Sequence, residues 1–229
     1  MPPQSTSRSR QLLLFGRNFI KHPRMLGSLI PSSRFLVNHV LSEVNWSRAR
    51  VFLEYGPGVG TFTAEILRRM RPDSVLVVLE TNTDFVRFLR RRFKDDRLHV
   101  IHGSAADADV ALAGLGLEHA DYVLSGIPYT TMPPELRKTI LQKTHSVLHA
   151  DGAFLVYQFT RSVLPYLQEV FQLVHQDFEP LNVMPARLFY CRHQVENGNG
   201  RSNGSAQPLS RQPAAPEPIW PATPPRSTG

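Results

Sequence analysis

Val51-Phe-Leu-Glu-Tyr-Gly-Pro-Gly-Val-Gly60 is the stretch on which the fold of this chain turns. Val51 to Tyr55 is short, apolar and rich in strand formers, so it reads as a buried strand. Three glycines in five positions then lead without a spacer into a segment with apolar residues at helical spacing, Thr63 to Met70. Strand, glycine turn and helix is the order in which an open α/β sheet builds a nucleotide site. Gly56, Gly58 and Gly60 leave no Cβ in the way, and the helix N-terminus offers unpaired amides. Glu80, some 20 residues further on, ends a second strand where a carboxylate can accept hydrogen bonds from two ribose hydroxyls. A dinucleotide-binding fold shares that spacing. Against it, Pro57 breaks the Gly-x-Gly-x-x-Gly pattern, and an acid, Glu54, stands at the strand end that faces the ligand.

Outward from this turn, Val75 to Leu79, Leu98 to Ile101, Tyr122 to Leu124 and Ala153 to Tyr157 are also short and apolar on both faces, as strands buried between helices are. Asp84 to Phe93, Pro134 to Leu148 and Leu164 to Phe171 carry apolar residues at three and four residue spacings with Arg or Lys opposite, and read as helices. Two further strands, Leu173 to His175 and Arg187 to Arg192, follow one another with no long helix between them, which predicts an antiparallel hairpin at one side of the sheet. The fold class expected is α/β, a doubly wound, mostly parallel, seven-stranded sheet with a C-terminal antiparallel hairpin.

At 229 residues the chain has room for one or at most two domains. A single cysteine, Cys191, excludes an intrachain disulfide framework and a cysteine-built zinc site, so no metal is expected. The net charge of +7 is uneven: Arg8, Arg10, Arg17, Lys21, Arg24 and Arg34 precede the first acid, Glu43. On a helical wheel Arg10, Arg17 and Lys21 share one arc, with Leu12, Phe15 and Phe19 opposite. This is a basic amphipathic helix suited to an anionic membrane surface, though a lid on the domain or a transit peptide has similar composition. From Gln194 onward the chain is Pro-rich and lacks periodicity, which predicts disorder. The expected organisation is an arm at 1–24, a folded domain at 25–193 and a tail at 194–229. No apolar run near either end approaches the roughly 20 residues that span a bilayer.

With these motifs in place, the sequence resembles the class I S-adenosylmethionine-dependent methyltransferases, whose first motif Glu54 to Gly60 matches. The resemblance implies a Rossmann-like methyltransferase fold with S-adenosylmethionine as cofactor. It implies that Glu54 and the glycine turn hold the methionine portion, that Glu80 holds the ribose, and that Gly103-Ser104-Ala105 lies against the adenine. Where the family often has Asp after that glycine this chain has Ser104, so adenine recognition falls to the Ala105 amide or to Asp107. Ser125-Gly-Ile-Pro-Tyr129, Gly27-Ser-Leu-Ile-Pro-Ser-Ser33 and Met184-Pro-Ala-Arg-Leu-Phe-Tyr190 narrow the resemblance to bacterial phospholipid and ornithine-lipid N-methyltransferases, over residues 12–193. The competing ribosomal RNA adenine dimethyltransferases are closely similar, but they carry Asn-Leu-Pro-Tyr where this chain has Gly126, and a small helical RNA-binding domain follows their catalytic domain.

A lipid amine is a good nucleophile once deprotonated, so positioning can supply much of the acceleration. On this reading Ser125, Gly126 and Tyr129 line the amine site. The Ser125 to Pro128 carbonyls accept its hydrogen bonds, and the Tyr129 ring faces the growing positive charge. Arg10, Arg17, Lys21, Ser32 and Ser33 meet the membrane and the lipid. The reading is thus of a monomeric, cytoplasmic enzyme, peripheral on the inner membrane face, that N-methylates phosphatidylethanolamine or an ornithine lipid, with no nucleic-acid partner expected. An RNA adenine methyltransferase and a non-catalytic lipid-binding module are the alternatives.

Overall fold

The computed structural model describes residues 32–193. The arm with Arg10, Arg17 and Lys21, and the tail from 194, lie outside the described residues. In chain order the elements are α1 (Arg34–Leu41), β1 (Val51–Tyr55), α2 (Thr61–Arg69), β2 (Val75–Glu80), α3 (Thr83–Arg92), β3 (Leu98–His102), α4 (Ala108–Ala113), β4 (Ala120–Ser125), α5 (Pro134–Val147), β5 (Leu148–Gln158), α6 (Leu164–Gln168), β6 (Leu173–Glu179) and β7 (Ala186–Arg192). Single 3₁₀ turns at Ala105–Asp107 and Tyr129–Thr131 follow β3 and β4.

The seven strands form one sheet in the order β3-β2-β1-β4-β5-β7-β6. β1 to β5 run parallel to one another, while β7 pairs antiparallel with both β5 and β6, and β6–β7 is the expected hairpin. Alternation along each strand feeds two cores. Leu53, Tyr55, Val77 and Leu79 pack with α4, α5 and α6 on one side, whereas Phe52, Leu76 and Val78 pack with α1, α2 and α3 on the other. Both faces of β1, β2 and β4 are therefore dry, and their sequences read as apolar runs.

Four differences from the sequence reading have physical causes. Strand β3 is half-buried rather than buried, because it closes one edge of the sheet. Strand β6, at the other edge, runs on to Glu179, four residues beyond the expected end at His175, through residues that are mostly exposed. Strand β5 begins five residues earlier than expected. The polar His149–Gly152 stretch, which resembles a turn, lies within the strand where the β4 register shifts between Ala120 and Tyr122. Helix α1 was not expected at all. Ser33 caps it by accepting from the Leu36 amide at 3.2 Å, and Leu36, Val37, Val40 and Leu41 bury one face.

Helix α1 is tied to the C-terminal hairpin. The Ser33 amide donates to Asn182 Oδ1 at 2.9 Å and its hydroxyl to the Leu181 carbonyl at 3.0 Å. His39 bridges Glu179 and Asp177 through its two ring nitrogens, at 3.0 and 2.9 Å. The hairpin tip beyond this clamp exposes Leu181, Val183 and Met184. Among the described residues no helix is long and apolar enough to cross a membrane, and no three His, Cys, Asp or Glu side chains group as metal ligands.

Candidate active site

β1 and β4 are neighbours although β2 and β3 lie between them in sequence, so the crossovers leave to opposite sides and a crevice opens beyond the strand ends. Glu54, the glycine turn, Glu80, Ser104 and the Ser125–Tyr129 segment all sit at this C-terminal edge. Gly56 has φ 65°, and a Cβ there would stand 2.7 Å from Ile127 Cγ2, so the loops after β1 and β4 touch at a point that admits only glycine. Gly58 and Gly60 also have positive φ, and Gly60 starts α2. Arg92, on α3, holds the turn from outside by donating to the Val59 carbonyl at 2.8 Å.

Two buried carboxyls face this turn. Glu80 accepts from the Gly58 amide at 3.1 Å and from the Asn82 amide at 2.8 Å. Burial raises its pKa, while these backbone hydrogen bonds work in the opposite direction. Glu54 accepts from the Thr63 hydroxyl at 2.6 Å. Burial pushes its carboxyl up to about 7, with the nearby Glu80 charge adding to the rise against the Thr63 bond. Two acids in a dry pocket repel each other, and a ligand carrying positive charge relieves both the burial and the repulsion.

At the end of β3, Ser104 accepts from the Ala106 amide at 3.1 Å and Asp107 accepts from the Ser104 amide, a reciprocal cap on the 3₁₀ turn. Asp107 is thus used within the turn, which leaves the Ala105 amide as the better of the two adenine candidates.

The segment after β4 differs from expectation. Tyr129 is fully buried, its ring set edge-on to Phe154 at 6.5 Å and its hydroxyl 2.9 Å from the Ser125 hydroxyl. The ring assigned to the growing charge is therefore a core ring beneath the loop, and the Ser125 side chain is spent on it. The Ile127 carbonyl already accepts from Gln158 Nε2 and the Tyr129 amide, and the Pro128 carbonyl from Thr131. Two of the four carbonyls expected to line an acceptor site, those of Ile127 and Pro128, are thus engaged within the fold. Another aromatic residue, which the sequence reading left as a strand residue, stands over Gly126: Tyr157, at the end of β5.

Comparison with known proteins now bears on this geometry. The family model described as ribosomal RNA adenine dimethylase matches residues 20–178. The chain belongs to this family. It is an S-adenosylmethionine-dependent methyltransferase. This methyltransferase is 35% identical over 192 residues to the ornithine lipid N-methyltransferase of Singulisphaera acidiphila, covering 82% of this chain and 99% of that protein. To the ribosomal RNA small subunit methyltransferase A of Mycoplasma capricolum it is 27% identical over 130 residues, 55% of this chain and 42% of that protein. It therefore spans less than half the length of the latter relative.

Solved structures carry the fold alone. The precorrin-6y C5,15-methyltransferase of Geobacter metallireducens has a TM-score of 0.57 at 15% identity, covering 69% of this chain and 88% of that one. Human methyltransferase-like protein 13 in complex with SAH has a TM-score of 0.53 at 22% identity, covering 77% and 83%.

The residues fit the cofactor of this methyltransferase. Two buried carboxyls, Glu54 and Glu80, beside a turn with no side chain in its three glycine positions suit a molecule that is cationic at one end and carries ribose hydroxyls in the middle. Of the remaining residues singled out by sequence, Ser32 lies against the Tyr157 hydroxyl and so reaches the site. Ser33 does not, since it is spent on the α1 cap and the hairpin clamp.

Proposed function

We propose that this methyltransferase N-methylates the amine of an aminolipid headgroup, an ornithine lipid or phosphatidylethanolamine, at a membrane surface. One observation carries the reading: the 35% identity runs through nearly the whole of an ornithine lipid N-methyltransferase. In the proposed arrangement Glu54 and the Gly56–Gly60 turn hold the methionine end of the cofactor, Glu80 the ribose, and the Ala105 amide the adenine. Bound S-adenosylmethionine supplies a methyl group on a sulfonium. The Ser125 and Gly126 carbonyls hold the amine in line with that methyl. After the ammonium form has given one proton to water, the neutral amine would accept that methyl group, the S–C electron pair returning to sulfur. Holding the two reactants in line is the main contribution asked of the protein.

The membrane part of the reading rests on the basic arm and on the exposed apolar hairpin tip. Anionic lipid contributes about 1 kcal/mol for each of Arg10, Arg17 and Lys21 near the surface. Leu181, Val183 and Met184 offer apolar side chains that can enter the headgroup boundary. The domain at 25–193 then works as a monomer, peripheral on the cytoplasmic face, with the arm at 1–24 as its anchor and the tail from 194 outside the chemistry. A second reading, methylation of an RNA adenine, is favoured by the description of the family model.

One experiment separates them. The chain is expressed in a host devoid of methylated aminolipids, its lipids are analysed by mass spectrometry, and the purified protein is offered lipid vesicles and ribosomal RNA in parallel. Methylated lipid with unmodified RNA is the expected result. The reverse would establish the RNA reading.

A further inference from the structure

We propose that Tyr157 is the residue that receives the acceptor amine, and that Gly126 and Tyr157 together form the acceptor gate, the phenol standing where a side chain at position 126 would stand. This deepens the aminolipid reading and rests on it for the choice of acceptor.

The geometry is specific. A Cβ on Gly126 would lie 2.1 Å from both Cζ and the hydroxyl oxygen of Tyr157, far inside any contact distance, so the ring tip occupies that side-chain volume. The β4–β5 register fixes this. Ser125 pairs with Val156, which brings the next residues of the two strands, Gly126 and Tyr157, side by side at the site edge. The ring is stacked on Phe62 at 5.0 Å and 27°, and Phe62 belongs to α2, the helix that begins at the glycine turn. Gln158, the next residue, pins the Ile127 carbonyl and with it the loop after β4. Tyr157 is thus held between the two loops that meet at the site.

Its chemistry suits an amine. Burial, with the neighbouring Glu54 charge, drives the phenol pKa well above its ordinary value, so the group stays neutral and keeps its lone pairs. A neutral phenol oxygen accepts a hydrogen bond from an N–H of the incoming amine and fixes the direction of the nitrogen lone pair. The same ring narrows the gap above Gly126, where a planar base needs a slot and a tetrahedral amine does not.

The test uses the full-length protein, S-adenosylmethionine, and vesicles of phosphatidylglycerol containing either ornithine lipid or phosphatidylethanolamine. The variants are Tyr157→Phe, Gly126→Ala, Tyr157→Ala and the double variant Gly126→Ala/Tyr157→Ala. Tyr157→Phe keeps the ring and gives up only the hydroxyl's contact with Ser32, so the melting temperature should fall by about a few degrees at most and calorimetric cofactor affinity should match the wild type. Its kcat/KM for the lipid should fall about tenfold or more, as expected for one lost buried hydrogen bond, with the KM for cofactor unmoved. Gly126→Ala should lower the melting temperature. Tyr157→Ala alone should also lower it by leaving a cavity, and the double variant should fall no further than Tyr157→Ala and should not methylate, because the clash is with the Tyr157 ring.

Undiminished lipid turnover in Tyr157→Phe overturns the inference, as does a Gly126→Ala penalty that is the same with and without Tyr157. Wild-type protein that methylates neither lipid overturns the aminolipid reading itself, a result separable from the first two because it needs no variant.

Discussion

Replacing Glu54 by Gln should stabilise the protein at neutral pH while weakening the cofactor, and the size of the effect follows from the site. Its carboxyl is held up to about 7 by burial, against 4.5 for the free side chain. Between those two pH values the folded chain keeps a proton that the unfolded chain has released. Stability therefore falls by about 1.4 kcal/mol for each unit of rising pH, from the unfolded value up to the folded one. Below about 4.5 both states are protonated and the group contributes nothing. Above 7 the full loss is present, roughly 3 kcal/mol over the interval. Gln has no proton to lose, so Glu54→Gln should match the wild type near pH 4.5 and exceed it by roughly 3 kcal/mol at pH 8, with a melting temperature higher by about 6–12 °C.

Carboxylates titrating elsewhere are common to both proteins and cancel in the difference. The same proton governs the cofactor. A cationic ligand beside Glu54 selects the ionised carboxylate, so affinity should rise with pH up to about 7 and binding should release a proton, whereas the Gln variant should bind weakly and without that dependence. Urea unfolding of both proteins from pH 5 to pH 8 measures the first effect. Calorimetry in two buffers of different ionisation enthalpy measures the second. A stability difference that does not change between pH 5 and pH 8 would refute the argument, because it would mean that the Glu54 carboxyl titrates at its ordinary value.

Other expectations follow from single contacts. Gly56→Ala places a Cβ 2.7 Å from Ile127 Cγ2 at a φ of 65°, and should cost roughly 1–3 kcal/mol in urea unfolding together with a large loss of calorimetric cofactor affinity. Tyr129→Phe removes only the bond to Ser125, so it should cost about 1 kcal/mol of stability and leave the methylation rate near that of the wild type; a large rate loss would return Tyr129 to the site. Changing Leu181, Val183 and Met184 together to Ser should change stability by only about 0.5 kcal/mol and reduce co-sedimentation with anionic vesicles; unchanged co-sedimentation would remove the hairpin tip from the membrane surface.

The sequence was informative where burial on both faces writes itself into composition. β1, β2 and β4 lie inside the sheet with helices on either side, so their apolar runs were legible, and the hairpin followed from the missing crossover helix. β3 and β6 were harder, because an edge position depends on which strands become neighbours and leaves little trace in the strand itself. The signal for α1 was present: a Ser cap followed by Leu36, Val37, Val40 and Leu41 at helical spacing. It was masked by reading Ser32 and Ser33 as substrate contacts. In fact the two neighbours part company, one turning to Tyr157 and the other to the helix cap.

The site shows the same division more sharply. Glu54 and Glu80 were legible because each ends a strand, and strand ends in a doubly wound sheet point at the ligand crevice. For Tyr129 the motif gave the position but not the direction. Ser125 and Tyr129 are four residues apart across a tight turn, and their hydroxyls meet under the loop. Tyr157 had no signal of its own, since a tyrosine at a strand end is ordinary and its partner is 31 residues away. What links them is the β4–β5 register, a long-range fact. Yet half of the pair was visible as an absence. By resemblance to the RNA adenine dimethyltransferases, Gly126 takes the place of an Asn, and an empty volume at the centre of a packed site demands something to fill it. Reading a glycine for what must approach it, as well as for its own freedom, would have directed the search to the strand beside β4, and its last residues include the one aromatic ring that meets the gap.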